Sequence, residues 1–365
     1  MIYVNGRFLQ QNQTGVTRFA YEICRAWANK GVEFVLCCPP GETKKCYDIS
    51  KFVIIVCGWG KSHFWEQVAL PIWFAKIKGE KILVNFTSLG PVWVRKKVMT
   101  IHDLAFMVNP KWYSRPYSIF YRWLTPLCAS SSLHILTVSE FSKSEIVRLI
   151  PVEANKITVV YNAVASSFYN ASFHSKSPEW SKFNEKYILA VSSIDPRKNF
   201  PVLLRSLRYV ADKEIKLYVI GGNAAIYTES VRNLCKVAGS EKVRWLGRVS
   251  DEDLKWYYSH SLCFIYPSLY EGFGIPPLEA MACGTPTIVS AIPAIKEVCG
   301  NASLYINPYD EKDIAEKINK LTSDIKLRND LISRGYVCCS KFGWTKSAEL
   351  VSNAIENCLS KMKYE

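Results

Sequence analysis

The run from Tyr270 to Pro286 limits what this chain can fold into more than any other segment, because it reads as a loop leaving a buried strand and entering a helix. Ile265 and its apolar neighbours have the character of a core strand and Pro267 to Gly274 that of its C-terminal loop. Pro277 then reads as a first-turn proline in a helix running through Ala282. Gly272 and Gly274 let the backbone approach a ligand closely, and the amides that open a helix are unsatisfied donors whose dipole favours an anion. Glu271 is expected in the loop and Glu279 in the first helical turn. Two carboxylates beside an anion site repel the anion unless they face hydroxyl-bearing parts of the same ligand. The pattern implies a diphosphate between a sugar and a ribose, that is, a nucleotide sugar. The bland alternative makes Glu279 a helix-start charge and Glu271 a solvated loop residue.

A chain of 365 residues exceeds the usual size of a single core and predicts two domains. Its apolar runs, such as Val53 to Cys57, Trp123 to Leu127 and Leu217 to Ile220, are far shorter than the roughly 20 residues that span a bilayer. Met1 to Val4 reads as a strand leading directly to Arg7, without the basic start and long apolar core of a secretion signal, which predicts a cytoplasmic protein. The thirteen cysteines are odd in number and many sit in apolar elements, so reduced buried thiols are expected; no Cys-x2-Cys suggests zinc, and no metal is assigned.

The net charge of +14 is uneven: about 20 Lys/Arg face about 10 Asp/Glu in the first 165 residues, which predicts an anionic partner for that half. Nucleic acid is set aside for want of a zinc-finger or RNP-type signature. Lys44-Lys45, Arg95-Lys96-Lys97 and the stretch Trp112 to Trp123 mix cations with aromatics as interfacial segments do, so peripheral contact with an anionic membrane is expected, against the alternative of a buried aromatic stripe.

Strand, loop and helix alternate from the N-terminus: Ile2 to Val4, Gln10 to Gly15, then Val16 to Trp27 with Phe19, Ala20, Ile23 and Trp27 on one face. Further strands are expected at Phe34 to Cys37, Val53 to Cys57, Ile82 to Phe86 and Lys97 to Ile101, the last ending in His102-Asp103. An imidazole beside a carboxylate at a strand's C-terminal end is a candidate ligand contact, since open α/β sheets bind there; a core histidine satisfied by a carbonyl is the alternative. Ser139 or Ser142 caps a helix after Ile135 to Val138. The polar stretch Ser166 to Lys186, with Pro178, reads as the domain boundary, and a second sheet starts at Tyr187 to Val191. Arg197 and Lys198, before a helix expected over Pro201 to Val210, are placed to neutralise a departing diphosphate. Leu217 to Ile220 with Gly221-Gly222-Asn223 and Val243 to Leu246 complete the pattern.

The ordered run Glu271-Gly-Phe-Gly-x-Pro-x-Leu-Glu279-Ala-Met-Ala-x-Gly-x-Pro286 closely resembles the Glu-x7-Glu motif of family 4 retaining glycosyltransferases, which include lipopolysaccharide mannosyltransferases. The resemblance extends along nearly the whole chain, most strongly from Tyr187 to Pro308. It implies the GT-B architecture, an α/β fold of two facing Rossmann-like domains with doubly wound parallel sheets. The limits would be 1–170 for an acceptor domain, 171–345 for a nucleotide-sugar domain, and 346–365 for a helix crossing back. By the same resemblance Glu271 contacts the transferred sugar and Glu279 the ribose, and Gly272, Phe273 and Gly274 offer backbone to the donor. Val249 touches the base, Gly15 approaches the donor phosphates, and His102 reaches the donor sugar or acceptor. Arg18 and Asp103 are the acceptor-side candidates. Ser193 stands where the commoner form has an arginine, for which Arg197 substitutes, and Ala163 stands where glycine is more frequent.

The implied reaction is retaining transfer of a hexosyl group to a hydroxyl of a lipid-linked glycan, as in O-antigen or capsule assembly. It uses the nucleotide-diphosphate sugar as co-substrate, with no other cofactor and no metal. GDP-mannose is favoured because Asp195-Pro-Arg-Lys-Asn199 resembles mannosyl transferases, with UDP sugars, GDP-fucose and dTDP-rhamnose left open. An epimerase or phosphorylase on the same fold, or a nonenzymatic anion-binding scaffold, are the rival readings.

Overall fold

The structure is a computed structural model that describes residues 1–87, 89–169, 185–222 and 240–364. Most of the expected boundary stretch, including Pro178, and Asn223 of the glycine turn lie outside the described residues. Contacts divide the chain into two compact units, Met1–Asn162 with Gly343–Glu365, and Ala163–Phe342.

The first unit holds seven parallel strands: β1 (Ile2–Asn5), β2 (Phe34–Cys38), β3 (Ile54–Val56), β4 (Ile82–Asn85), β5 (Lys97–Ile101), β6 (His134–Thr137) and β7 (Ile157–Val159), ordered 3-2-1-4-5-6-7. These runs are apolar rather than alternating because a parallel sheet is covered on both faces; Val4, Leu83, Val84 and Leu136 are all fully buried. The helix Gly15–Asn29 starts at an N-cap, Thr14, whose side chain and that of Thr17 close a reciprocal capping box. Its expected face, Phe19, Ala20, Ile23 and Trp27, is fully buried, and each large member contributes roughly 1.5–3 kcal/mol. The final helix, Trp344–Tyr364, packs on it: Trp27 Nε1 donates to Ala348 O at 3.2 Å, Phe19 meets Trp344 edge-on, and Lys30 pairs with Glu349.

In the second unit six parallel strands, β8 (Tyr187–Val191), β9 (Lys216–Ile220), β10 (Val243–Gly247), β11 (Phe264–Tyr266), β12 (Thr287–Ser290) and β13 (Ser303–Ile306), run in the order 10-9-8-11-12-13. Two sequence expectations need correction here. The helix expected over Pro201 to Val210 is α-helical only over Phe200–Ser206 and tightens to a 3-10 turn at Leu207–Tyr209, where Ser206 Oγ bonds back to Leu203 O at 2.7 Å. The later helix begins at Ile275, after Gly274 in the left-handed region, so Glu279 is its fifth residue and sits in the second turn rather than the first.

In the first unit, Lys97 does not join a basic surface. It is fully buried, its ammonium donating to Val94 O at 2.8 Å and Ser131 Oγ at 2.6 Å, and burial lowers its pKa to about 8. The aromatic stretch after Trp112 is not a buried stripe either. On the helix Arg115–Ser130 the buried positions are Ser118, Leu124, Thr125, Cys128 and Ala129, while Ile119 and Trp123 are each 68% exposed. Eleven of the twelve described cysteines are buried, Cys46 being the exposed one. Among the described residues no helix is long and apolar enough to cross a membrane.

Candidate active site

In an open parallel sheet the loops at the carboxyl ends of two neighbouring strands part where the strand order reverses, leaving a crevice for ligand. The second sheet reverses between β8 and β11. The loop after β8 supplies Arg197 and Lys198, and the loop after β11 supplies Glu271. Lys198 Nζ lies 2.6 Å from Glu271 Oε1 and donates to Tyr266 Oη at 2.8 Å, and Arg197 Nη1 lies 3.4 Å from Glu271 Oε2. Lys198 and Glu271 are 7% and 6% exposed, so this is an ion cluster held largely out of water. Burial pushes the Glu271 carboxyl up, but Lys198 and Arg197 outweigh it and hold the group below the ordinary glutamate value. For Lys198 burial pushes the ammonium down more than Glu271 raises it, and Arg197 adds to the lowering.

The turn carrying these cations is fixed by Asn199. Its backbone is left-handed (φ 59°), and its Nδ2 donates to Pro267 O at 3.1 Å and Pro308 O at 2.6 Å, tying the β8 loop to the loops after β11 and β13. Leu269 N–H donates to Arg197 O at 2.7 Å, a second tie between the β8 and β11 loops. Gly274 precedes the helix Ile275–Ala282 with φ 109°, and a Cβ there would fall 2.4 Å from Ile295 Cδ1. This helix start has no side-chain cap, unlike the one at Gly15; Pro276 and Pro277 carry no N–H, so within its first turn the Ile275 N–H and the helix dipole are what an anion can meet. Glu279, nearly buried, accepts from Tyr258 Oη at 3.3 Å. Phe273 is buried edge-on against Phe342, and Val249 lies half-buried in the loop after β10. Sequence reasoning overlooked Tyr266, Tyr258 and Asn199 as site residues; the polar end of Tyr266 in the apolar strand β11 was an available signal.

In the first unit His102 and Asp103 follow β5 as expected. His102 is 8% exposed, its ring edge-on to Phe19, and its Nε2 lies 2.8 Å from Phe86 O, the carbonyl-satisfied arrangement anticipated as the alternative. Burial lowers its pKa, so the ring is neutral at pH 7. An Nε2–H donated to Phe86 leaves Nδ1 as an acceptor. Asp103 Oδ1 accepts from Ala105 N–H at 3.0 Å. Gly15 is the exposed first residue of its helix, and Arg18 is buried one turn later.

Two parallel-sheet α/β domains, one carrying a cationic pair locked on a carboxylate beside an uncapped helix start, define the GT-B class of glycosyltransferase fold. A sucrose-phosphate synthase from Thermosynechococcus elongatus shares the fold with a TM-score of 0.79 at 16% identity, covering 99% of both chains. Residues 13–168 match the description Glycosyltransferase Family 4 and residues 174–337 match Glycosyl transferases group 1. The O-antigen chain mannosyltransferase RfbU of Salmonella typhimurium is 32% identical over 295 residues, 81% of this chain and 78% of the relative. The O-antigen chain mannosyltransferase B of Escherichia coli is 30% identical over 267 residues, 72% of this chain and 70% of the relative. The chain belongs to the group 1, family 4 glycosyltransferases.

Proposed function

We propose that this glycosyltransferase moves a mannosyl group from GDP-mannose to a hydroxyl of a lipid-linked oligosaccharide during O-antigen or capsule assembly, with retention of configuration and without a metal. The observation that carries this reading is the Arg197–Lys198–Glu271 cluster beside the open helix start at Ile275. The donor diphosphate takes the amides of Gly272 to Gly274 and the two cations, which stabilise the charge that grows on it as the C1–O bond breaks. Glu271 holds the donor's sugar hydroxyls and Glu279 its ribose, while His102 Nδ1 is the first unit's candidate acceptor for a substrate hydroxyl. The acceptor oxygen bonds to C1 and its proton leaves on the departing diphosphate. The mannosyl and O-antigen parts rest on the names of the two relatives above.

The test is nucleotide release from GDP, UDP, ADP and dTDP sugars with a membrane lipid extract as acceptor source, and with Glu271→Ala and Lys198→Ala as controls. Acceptor-dependent release from GDP-mannose, lost in both variants, is the expected result. Release from another donor overturns the sugar assignment, and release from none, by a protein that binds free nucleotide, favours an epimerase or phosphorylase.

A peripheral position on the anionic cytoplasmic leaflet completes the reading. Three neighbouring segments support it, since His63 meets Phe120 at 5.2 Å and Gln67 Nε2 donates to Gly90 O at 3.0 Å. They expose Phe64, Trp93, Ile119 and Trp123, with Arg95, Lys96 and Arg122 also at the surface. Sedimentation with phosphatidylglycerol vesicles, weakened by salt and by Trp93→Ser with Trp123→Ser, is expected; equal binding to neutral vesicles contradicts the electrostatic part.

A further inference from the structure

Cations that the transferase reading does not use gather at the amino ends of β5, β6 and β7, on the side of the first sheet away from the crevice at its carboxyl ends. A cavity of about 560 Å³ opens there, and Ser130, His134, Glu153, Asn155, Lys156 and Lys361 are among its walls. Four segments build it: Ser130 ends the helix Arg115–Ser130, His134 begins β6, Glu153 to Lys156 lead into β7, and the final helix supplies Lys361. Lys156 is held in place, its ammonium donating to Ala129 O at 3.2 Å and Ser130 O at 3.1 Å, where the helix runs out of amide partners. His134 Nε2 lies 2.8 Å from Thr158 Oγ1, which leaves Nδ1 for a ligand. Next along the chain from Ser130, Ser131 Oγ accepts from the buried ammonium of Lys97.

Charges of one sign dominate this cavity. Burial and then Lys361, Lys156 and Lys143 push the His134 ring down to about 4, and among the described residues none of the groups acting on it is a carboxylate. Lys143 comes from the helix Glu140–Leu149, so the cations converge from three separate elements. Lys97 is lowered by burial and, in smaller part, by Lys156. Against these stands Glu153, the one carboxylate of the lining among the described residues. Burial lowers Lys156 and Glu153 raises it in part, while Asn155 Nδ2 donates to Glu153 Oε2 at 3.0 Å. Lys361 has no carboxylate partner among the described residues. Like charges gathered this closely repel one another, and an anion between them removes that cost.

We propose that this cavity binds a phosphoryl group, carried by a small molecule or by a lipid headgroup, with Lys156, Lys361 and a protonated His134 as its cations and Ser130 Oγ as a hydroxyl donor. The donor set selects this chemistry. Ammonium groups are point charges on flexible stems that converge on a rounded anion of three or four oxygens, and the lining lacks the planar guanidinium fork that pairs with a flat carboxylate. The volume falls within the range of small-molecule sites and leaves room for the rest of an ester. Both sources are open to it: the cavity admits a soluble ester, and the helix that ends at Ser130 exposes Ile119 and Trp123, which suit a lipid. The site lies apart from the donor crevice of the second unit and stands without the transferase reading.

The experiment follows the ring signals of the chain's five histidines by carbon-13 NMR, with His134 assigned by its absence in His134→Gln. The full chain is titrated, at fixed ionic strength in chloride, with inorganic phosphate, glycerol 3-phosphate and the short-chain lipid dihexanoyl phosphatidylglycerol. Binding is expected to move the His134 signal saturably and to raise its pKa from about 4 toward the ordinary 6.5, because a bound anion favours the charged ring. Lys361→Gln removes an exposed cation and should weaken binding about fivefold. Lys156→Gln should weaken it about tenfold, with hydrogen exchange of the helix Arg115–Ser130 reporting any loosening of that helix end. Glu153→Gln removes the opposing charge and should tighten binding, while Lys326→Gln, an exposed cation of the second unit, should leave it unchanged. A shift with phosphate or glycerol 3-phosphate assigns the site to a soluble ester, and a shift with the lipid alone assigns it to a headgroup. No saturable shift with any of the three, wild-type affinity in both Lys361→Gln and Lys156→Gln, or equal weakening in Lys326→Gln and Lys361→Gln overturns the proposal.

Discussion

Lys198→Met removes the cation nearest Glu271 while keeping an unbranched stem of similar reach, and its cost follows from the geometry. At 2.6 Å the gross attraction at an effective dielectric of about 20 is about 6 kcal/mol, and Arg197 at 3.4 Å adds about 5 kcal/mol on the same footing. Desolvating the three charges offsets most of this, so the net worth of the cluster is small while the cost of breaking it is not. Removing one partner of a buried pair costs roughly 3–5 kcal/mol, and with Arg197 still in place the lower end, about 3 kcal/mol, is expected. Adding Glu271→Gln removes the charge that needed compensation, so the double variant should be about 2 kcal/mol better than the sum of the singles. Urea unfolding followed by hydrogen exchange in peptides spanning β8 and β11 reads the second unit alone. A loss under about 1 kcal/mol in Lys198→Met, or simple additivity, would refute the argument that this cluster is electrostatically dependent on each member. The acid limb gives a second check. Glu271 has its folded pKa lowered, so its contribution is complete above the unfolded glutamate value of about 4.3 and is lost as pH falls through the folded value.

Gly274→Ala places a methyl 2.4 Å from Ile295 Cδ1 at φ 109°, and should cost about 1–3 kcal/mol and weaken nucleotide binding. Ile295→Ala in the same chain recovers the overlap but not the backbone strain, which thermal unfolding and nucleotide titration would show. Asn199→Gly keeps the left-handed turn and loses two hydrogen bonds, costing about 1–2 kcal/mol, whereas Asn199→Ala adds roughly 1 kcal/mol of strain; equal unfolding midpoints would count against that split. His102 is pushed down by burial, and His134 is pushed down to about 4 by burial and then by Lys361, Lys156 and Lys143. Both bind fewer protons folded than unfolded, so the first unit should lose stability as pH falls below about 6.5. Histidine ring resonances that titrate at the ordinary value in the folded protein would contradict this.

The two sheets and the Glu271 to Glu279 loop were legible because their signals are local. Parallel strands buried on both faces read as unbroken apolar runs, and a glycine loop before a proline-started helix leaves few alternatives. Pro277 is a first-turn proline as read, but the helix begins two residues before it, at Ile275 directly after the left-handed Gly274, and this moves Glu279 into the second turn. Lys97 read as surface because its charge is written in the sequence, while the carbonyl and hydroxyl that satisfy it, at Val94 and Ser131, are brought to it by the fold. The helix Arg115–Ser130 shows the converse: its aromatics recur as a core stripe would, yet the buried face is the one carrying Leu124, Cys128 and Ala129. Nothing local marked Arg7, Glu66 and Asn85 as one cluster, since their proximity depends on β1 pairing with β4 across 80 residues.

The same topology produces a buried glutamate at both switch points, and what differs is how the neighbouring helix begins. In the second unit Lys198 and Arg197 hold Glu271 while the helix at Ile275 starts without a side-chain cap, so the Ile275 N–H and the helix dipole remain for an anion. In the first unit Arg7 holds Glu66, but Thr14 has already closed the helix at Gly15. That difference favours a phosphate-bearing ligand in the second unit and argues against one at the capped helix of the first. Replacing Thr14 by Ala, with Thr17 by Ala to remove the reciprocal bond, should therefore raise that helix start's affinity for inorganic phosphate as well as cost about 1 kcal/mol of stability. A loss of stability with no gain in phosphate binding would show that the cap is structural and that the ligand preference of this unit is set elsewhere.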